Sequence, residues 1–136
     1  MRRVYILLVL IAGLLFSGNV CAQDENQDKK GAEINSADST EYELLVFDAK
    51  FDTFLTTVSY QKNLHSNDYY RNWNIQYCAE WNARHQNPAR YGSFYETYIH
   101  YGQSVDYGID LNFKLYQYFQ FIEKEYNIVL IHRKGN

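Results

Sequence analysis

Between Tyr42 and Arg133 the chain carries 22 aromatic residues against 17 Ile, Leu and Val, so any core it builds is mainly a core of rings. Rings bury large areas, prefer edge-to-face or offset contacts, and bring phenol and indole tips that need partners once they leave water. That density is incompatible with a solvated polymer. Seven glycines exclude a collagen-like chain. The length, 136 residues, suits one domain.

The rings begin abruptly. Gln23–Glu41 contains none, and Ile34 is its single large aliphatic residue. Such a stretch cannot bury enough area to offset the entropy lost on ordering, so it is expected to be a flexible polar leader. The compact domain is expected over residues 42–133, with 134–136 as a frayed tail.

Ahead of the leader, Arg2 and Arg3 precede an uncharged apolar run from Val4 to Phe16, and Val20-Cys21-Ala22 closes the segment. This is the layout of a secretory signal peptide over residues 1–22, with cleavage after Ala22. The run is shorter than the roughly 20 residues that cross a bilayer. An uncleaved anchor and lipidation at Cys21 are the competing routes, although Val20 is not the small residue that lipidation prefers; membrane attachment is foreseen only through the signal segment or that lipid. An exported protein, periplasmic or at the cell surface, is therefore expected. Loss of Arg2 and Arg3 takes the net charge from −3 to −5, which disfavours nucleic acid as a partner. Cys78 is then the one remaining thiol, so no disulfide within the mature chain is expected.

Tyr42–Phe47 reads as a short strand, followed by Asp48 as the cap of a helix carrying Phe51, Phe54, Leu55 and Val58 on one face. Ser66 or Asn67 opens a long helix to about Gln86, with Tyr70, Trp73, Tyr77 and Trp81 in one stripe, ended by Asn87-Pro88. Ser93–Glu96 matches a capping box, which predicts a short helix to about His100. A last helix runs from Ile109 or Asp110 to about Tyr126, and Ile128–Ile131 reads as a buried strand. The expected fold is α+β: a small single domain in which the N- and C-terminal strands pair in a small sheet covered by three to four helices.

Tyr42-Glu-Leu-Leu-Val-Phe-Asp48, Tyr69-Tyr-x-x-Trp-Asn74, Glu80-Trp-Asn82, Tyr95-Glu-x-Tyr-Ile99 and the run Asp106 to Phe119 (Asp-Tyr-Gly-Ile-x-Leu-Asn-Phe-Lys-Leu-Tyr-x-Tyr-Phe) together resemble an uncharacterised family of small exported proteins from Bacteroidota-type bacteria, a domain of unknown function. The resemblance covers nearly all of residues 42–130. It implies a cell-envelope location and one small domain, and it transfers no catalytic residue.

No nucleophile elbow, paired-cysteine site, His-Glu-x-x-His or calcium loop occurs, so no metal and no cofactor is expected. His100, Asp106 and Asp110 lie close in sequence, but Asp106 or Asp110 also suits a helix cap. Glu80 and Glu96, set among aromatics, are candidates for a pair of glycosidase carboxylates. Glu80 can equally pair with Arg84, and Glu96 can complete the capping box. Trp73, Trp81, Tyr95 and Tyr98, with Asn74 and Asn82, are candidates for a ligand-binding face. Rings stack on sugars and peptides, and side-chain amides bond their polar groups. The same stripe also fits a buried core. The function expected is a non-enzymatic module binding an envelope protein or glycan. The alternative is a small hydrolase of an envelope glycan.

Overall fold

The computed structural model describes residues 30–38 and 41–134. The signal segment with Cys21 and Ala22, residues 23–29 of the leader and the last two residues lie outside the described residues. The architecture is a small α+β domain with a two-stranded antiparallel sheet and four helices.

Strand β1 (Ala32–Asp38) pairs with β2 (Glu41–Val46), with Ala32 opposite Val46 and Ile34 opposite Leu44, and an irregularity between Ser36 and Asp38. The expected partner of β2 was Ile128–Ile131. That stretch instead runs over the domain without joining a sheet. Residues 32–38, assigned to the leader, therefore form a strand. The physical reason is alternation: Ala32 is fully buried and Ile34 packs against the core, while Glu33 and Asn35 face solvent. Two inward residues suffice for a strand that borrows its burial from a neighbour. Gly31 starts it because nothing larger fits; a Cβ there would lie 2.0 Å from the Thr97 hydroxyl.

Helix α1 (Ala49–Val58) begins as expected at Asp48, whose side chain accepts the Lys50 N–H at 3.0 Å. A 3₁₀ turn over Ser59–Leu64 leads to α2 (Asn67–His85), capped by Ser66, which accepts the Tyr69 N–H at 3.1 Å. Pro88 opens the short α3 (Pro88–Tyr91), and α4 (Gly108–Glu125) closes the set. The core is the α2/α4 interface. Tyr77 stacks on Phe119 at 4.9 Å, and Tyr70 meets Phe113 edge-on at 5.5 Å. Phe51 attaches α1 through Tyr118 and Phe121.

The helix expected from Ser93 does not form. Residues 93–107 instead cross α2 as an extended strap whose backbone is bonded to helix side chains. Trp81 donates to the Thr97 carbonyl at 2.7 Å, and Asn82 bonds both the N–H and the carbonyl of Ile99, at 2.8 and 2.9 Å. His85 Nδ1 lies 2.6 Å from the Tyr95 carbonyl. Residues 127–134 form a second strap. Arg84 donates to the carbonyls of Val129 and Leu130, and Glu123 accepts the N–H groups of Leu130 and Ile131. These bonds replace a sheet ladder and explain why Ile128–Ile131 looks like a strand yet is not one. Asn127, at φ 52°, makes the turn that starts the second strap.

Candidate functional site

Of the six ligand candidates three are buried, two are half-buried and one is exposed. Trp81 is fully buried, and Tyr95 is buried with its hydroxyl accepting from Arg84 at 2.8 Å. Asn74 is fully buried and donates to the Asn112 carbonyl at 2.9 Å across the α2/α4 interface. Asn112 in turn bonds Asn67 and accepts the Tyr101 hydroxyl, which burial pushes up to a pKa of about 12. Asn82 spends its amide on Ile99. Trp73 is half-buried, with the Arg133 guanidinium 4.0 Å from its ring centroid. The sixth, Tyr98, remains 39% exposed.

Tyr98 is not alone. The His100 ring lies 4.7 Å from it and the His85 ring 6.0 Å away. Tyr98 and His100 form a ridge between two grooves. One, of about 450 Å³, is lined by Asn82, Cys78, Tyr101 and Tyr107 among others. The other, of about 500 Å³, lies between β1 and the first strap, and is lined by Glu33, Ile34, Asn35, Glu96 and Thr97. Thr97 fixes this arrangement: its hydroxyl bonds both the N–H and the carbonyl of Ala32, at 3.1 and 3.2 Å. Glu96 N–H adds a bond to the Lys30 carbonyl at 3.2 Å.

Glu80 and Glu96 are placed apart in role. Glu80 forms an ion pair with Arg84 at 2.6 Å, one turn away on α2. Glu96 is exposed in the second groove, which Glu80 does not line. Cys78 sits in the wall of the first groove at 5% exposure, and burial pushes its thiol pKa up, so it stays protonated and unreactive at neutral pH. Asp106 accepts the Gly108 N–H at 3.1 Å at the entry to α4, and Asp110 pairs with Lys62 at 2.6 Å. Among the described residues no group of three His, Cys, Asp or Glu side chains is placed to hold a metal ion, and no helix is long and apolar enough to cross a membrane.

The strongest charged cluster lies elsewhere. Asp48 is buried at the α1 entrance, where it accepts the Tyr126 hydroxyl and pairs with Lys30 at 3.3 Å. Burial pushes this carboxyl up, but the bonds from Tyr126, the Lys50 N–H and Lys30 together outweigh it and hold the pKa below the usual carboxylate value. This cluster joins β1, α1 and the end of α4, a structural task.

Sequence reasoning missed Glu33, Asn35 and His100 as members of the exposed face. The alternation of Ala32-Glu33-Ile34-Asn35 was the available signal for the first two. The two-residue spacing of Tyr98 and His100 about the buried Ile99 was the signal for the third, and the helix expected from Ser93 hid it.

The chain matches the family of unknown function DUF6146 over residues 5–133 and belongs to that family. No curated protein and no solved structure matches it. The large aromatic cluster described above is the main physical feature of this member.

Proposed function

We propose that the protein is an exported, non-enzymatic binding module of the cell envelope that engages an envelope protein or glycan through the Tyr98–His100 ridge. Export rests on the N-terminal sequence: two arginines, an apolar run and Val20-Cys21-Ala22. Binding is carried by one observation. Of the 22 rings between Tyr42 and Arg133 only Tyr60 and Tyr98 are exposed, and Tyr98 stands between two grooves while Thr97 and Ile99 on either side of it are tied down. An exposed ring on a rigid support is what recognition of a sugar or peptide needs, since little side-chain freedom is lost on contact. Tyr60 is more exposed but lines neither groove.

Replacing Tyr98 with a photo-activatable phenylalanine analogue tests this in the native envelope, with the same analogue at Tyr60 as the control. Adducts from position 98 that are absent from position 60 are expected. No adduct from 98, or the same adducts from both, overturns the reading. Intact mass of the mature protein tests the processing: an N-terminal Gln23 is expected, whereas acyl chains on Cys21 indicate the lipidated route and a retained Met1 indicates an uncleaved anchor and overturns cleavage after Ala22.

A further inference from the structure

We propose that the outer edge of β1 takes an extended, basic polypeptide segment as a third strand, lying in the groove between β1 and the Tyr98 ridge; this rests on the reading of that ridge as a binding face. The hydrogen-bond parity of the hairpin sets the geometry. Phe47 donates to the Gly31 carbonyl at 3.1 Å, which marks residue 31, and by alternation 33 and 35, as the β1 positions that bond β2. Residues 32 and 34 then turn their N–H and carbonyl groups to the other edge. Ala32 confirms the parity, since both of its backbone groups bond the Thr97 hydroxyl on that side. The free edge of β2 is covered in the same register, because Lys114 from α4 reaches the Leu44 carbonyl at 3.0 Å.

The first strap therefore starts a third strand beside β1 and does not finish it. Glu96 bonds Lys30 and Thr97 bonds Ala32, and the strap then leaves toward Ile99 and α2. The backbone groups of Ile34 are left facing the groove of about 500 Å³. An open strand edge is a template for an added strand. Charge selects the occupant. Glu33 and Glu96 are both exposed on this groove, and neither forms an ion pair with a described residue. The Tyr98 ring face offers a further place for a cation. A second copy's β1 is disfavoured, because its sequence carries Glu33 and Asp38 and no cation to offset them.

The test uses the full chain and a synthetic octapeptide alternating lysine and valine, with its glutamate–valine counterpart as the control. The lysine peptide is expected to slow amide exchange of Ile34 at least tenfold and to shift the amide resonances of residues 96–100. The glutamate peptide is expected to do neither. Replacing Glu33→Lys together with Glu96→Lys should reverse the preference, and because both side chains are exposed this variant should keep the fold. Ile34→Pro removes the outward donor without touching the β2 ladder and should weaken the lysine peptide at least tenfold. Unchanged Ile34 exchange at saturating peptide, or a preference that ignores the charge reversal, overturns strand addition. So does protection of Ile34 before any peptide is added. Should the peptide shift residues 96–100 while Ile34 exchanges freely, strand addition fails and the ridge stands as a binding face. If cross-links from position 98 are also absent, both fail.

Discussion

The α2/α4 pair and the two straps that cross it are built on opposite plans. The helices satisfy their own backbones and meet through rings, as where Tyr77 stacks on Phe119. The straps form neither helix nor strand, and their carbonyls and N–H groups are bonded chiefly by Trp81, Asn82, Arg84, His85 and Glu123. Both helices therefore work twice, α2 above all, burying rings between them and supplying hydrogen bonds to the straps. The exposed face depends on this dual use. Tyr98 can stand out of the surface because Thr97 and Ile99 on either side are held from below.

Substitutions on the helices should thus disturb the straps, and the largest effect belongs to Trp81. Trp81→Ala removes a fully buried ring and orphans the Thr97 carbonyl, and is expected to cost about 3–5 kcal/mol in urea unfolding. If the loss stays below about 1 kcal/mol, the two regions are not coupled as described.

Arg84→Ala comes next. It unties Tyr95 and the carbonyls of Val129 and Leu130 at once, with an expected loss of about 2–3 kcal/mol. Amide exchange should quicken in both straps while the middle of α4 stays protected. Arg84→Lys should not restore protection, because one ammonium cannot reach the points a planar guanidinium spans.

Asp48→Asn separates charge from capping, since Asn also caps helices. At pH 7 a loss of about 1–2 kcal/mol is expected, as the bonds from Lys30 and Tyr126 weaken. The pH dependence has a definite sign. The folded pKa of Asp48 lies below its ordinary 3.8, so its contribution is complete above that value and disappears as pH falls through the lower folded one. Parent and variant stabilities should converge in that acid window; parallel curves would show that Asp48 titrates normally.

Tyr98→Ala sits at the small end for stability, within about 0.5 kcal/mol of the parent, because the strap is held by its neighbours. Its effect should appear in binding instead. A large drop in thermal midpoint would make Tyr98 a packing residue and count against the binding reading.

The helices were legible because their signals are local. Asp48 and Ser66 cap α1 and α2, Pro88 follows the end of α2, and the stripe Tyr70, Tyr77 and Trp81 is buried at helical spacing. The sheet was misread for the opposite reason. Ile128–Ile131 has strand composition, but Arg84 and Glu123 offered its backbone partners first. Residues 32–38 have leader composition, yet Leu44 and its neighbours supplied the burial they lack. The capping box at Ser93–Glu96 lost to the bond from the Glu96 N–H to the Lys30 carbonyl and the contact of His85 with the Tyr95 carbonyl, which favour an extended chain there.

By itself, the sequence determined that the core would be made of rings, where the long helices start and stop, and that Asp48 would cap one of them. Spacing and capping are properties of neighbours along the chain, so no folded context is needed to read them. Only the tertiary structure decided which rings stay outside, which strands pair, and that Ile34 of β1 lines the groove beside Tyr98. Those outcomes turn on which backbone groups find a partner first, and here the partners are side chains far away in sequence.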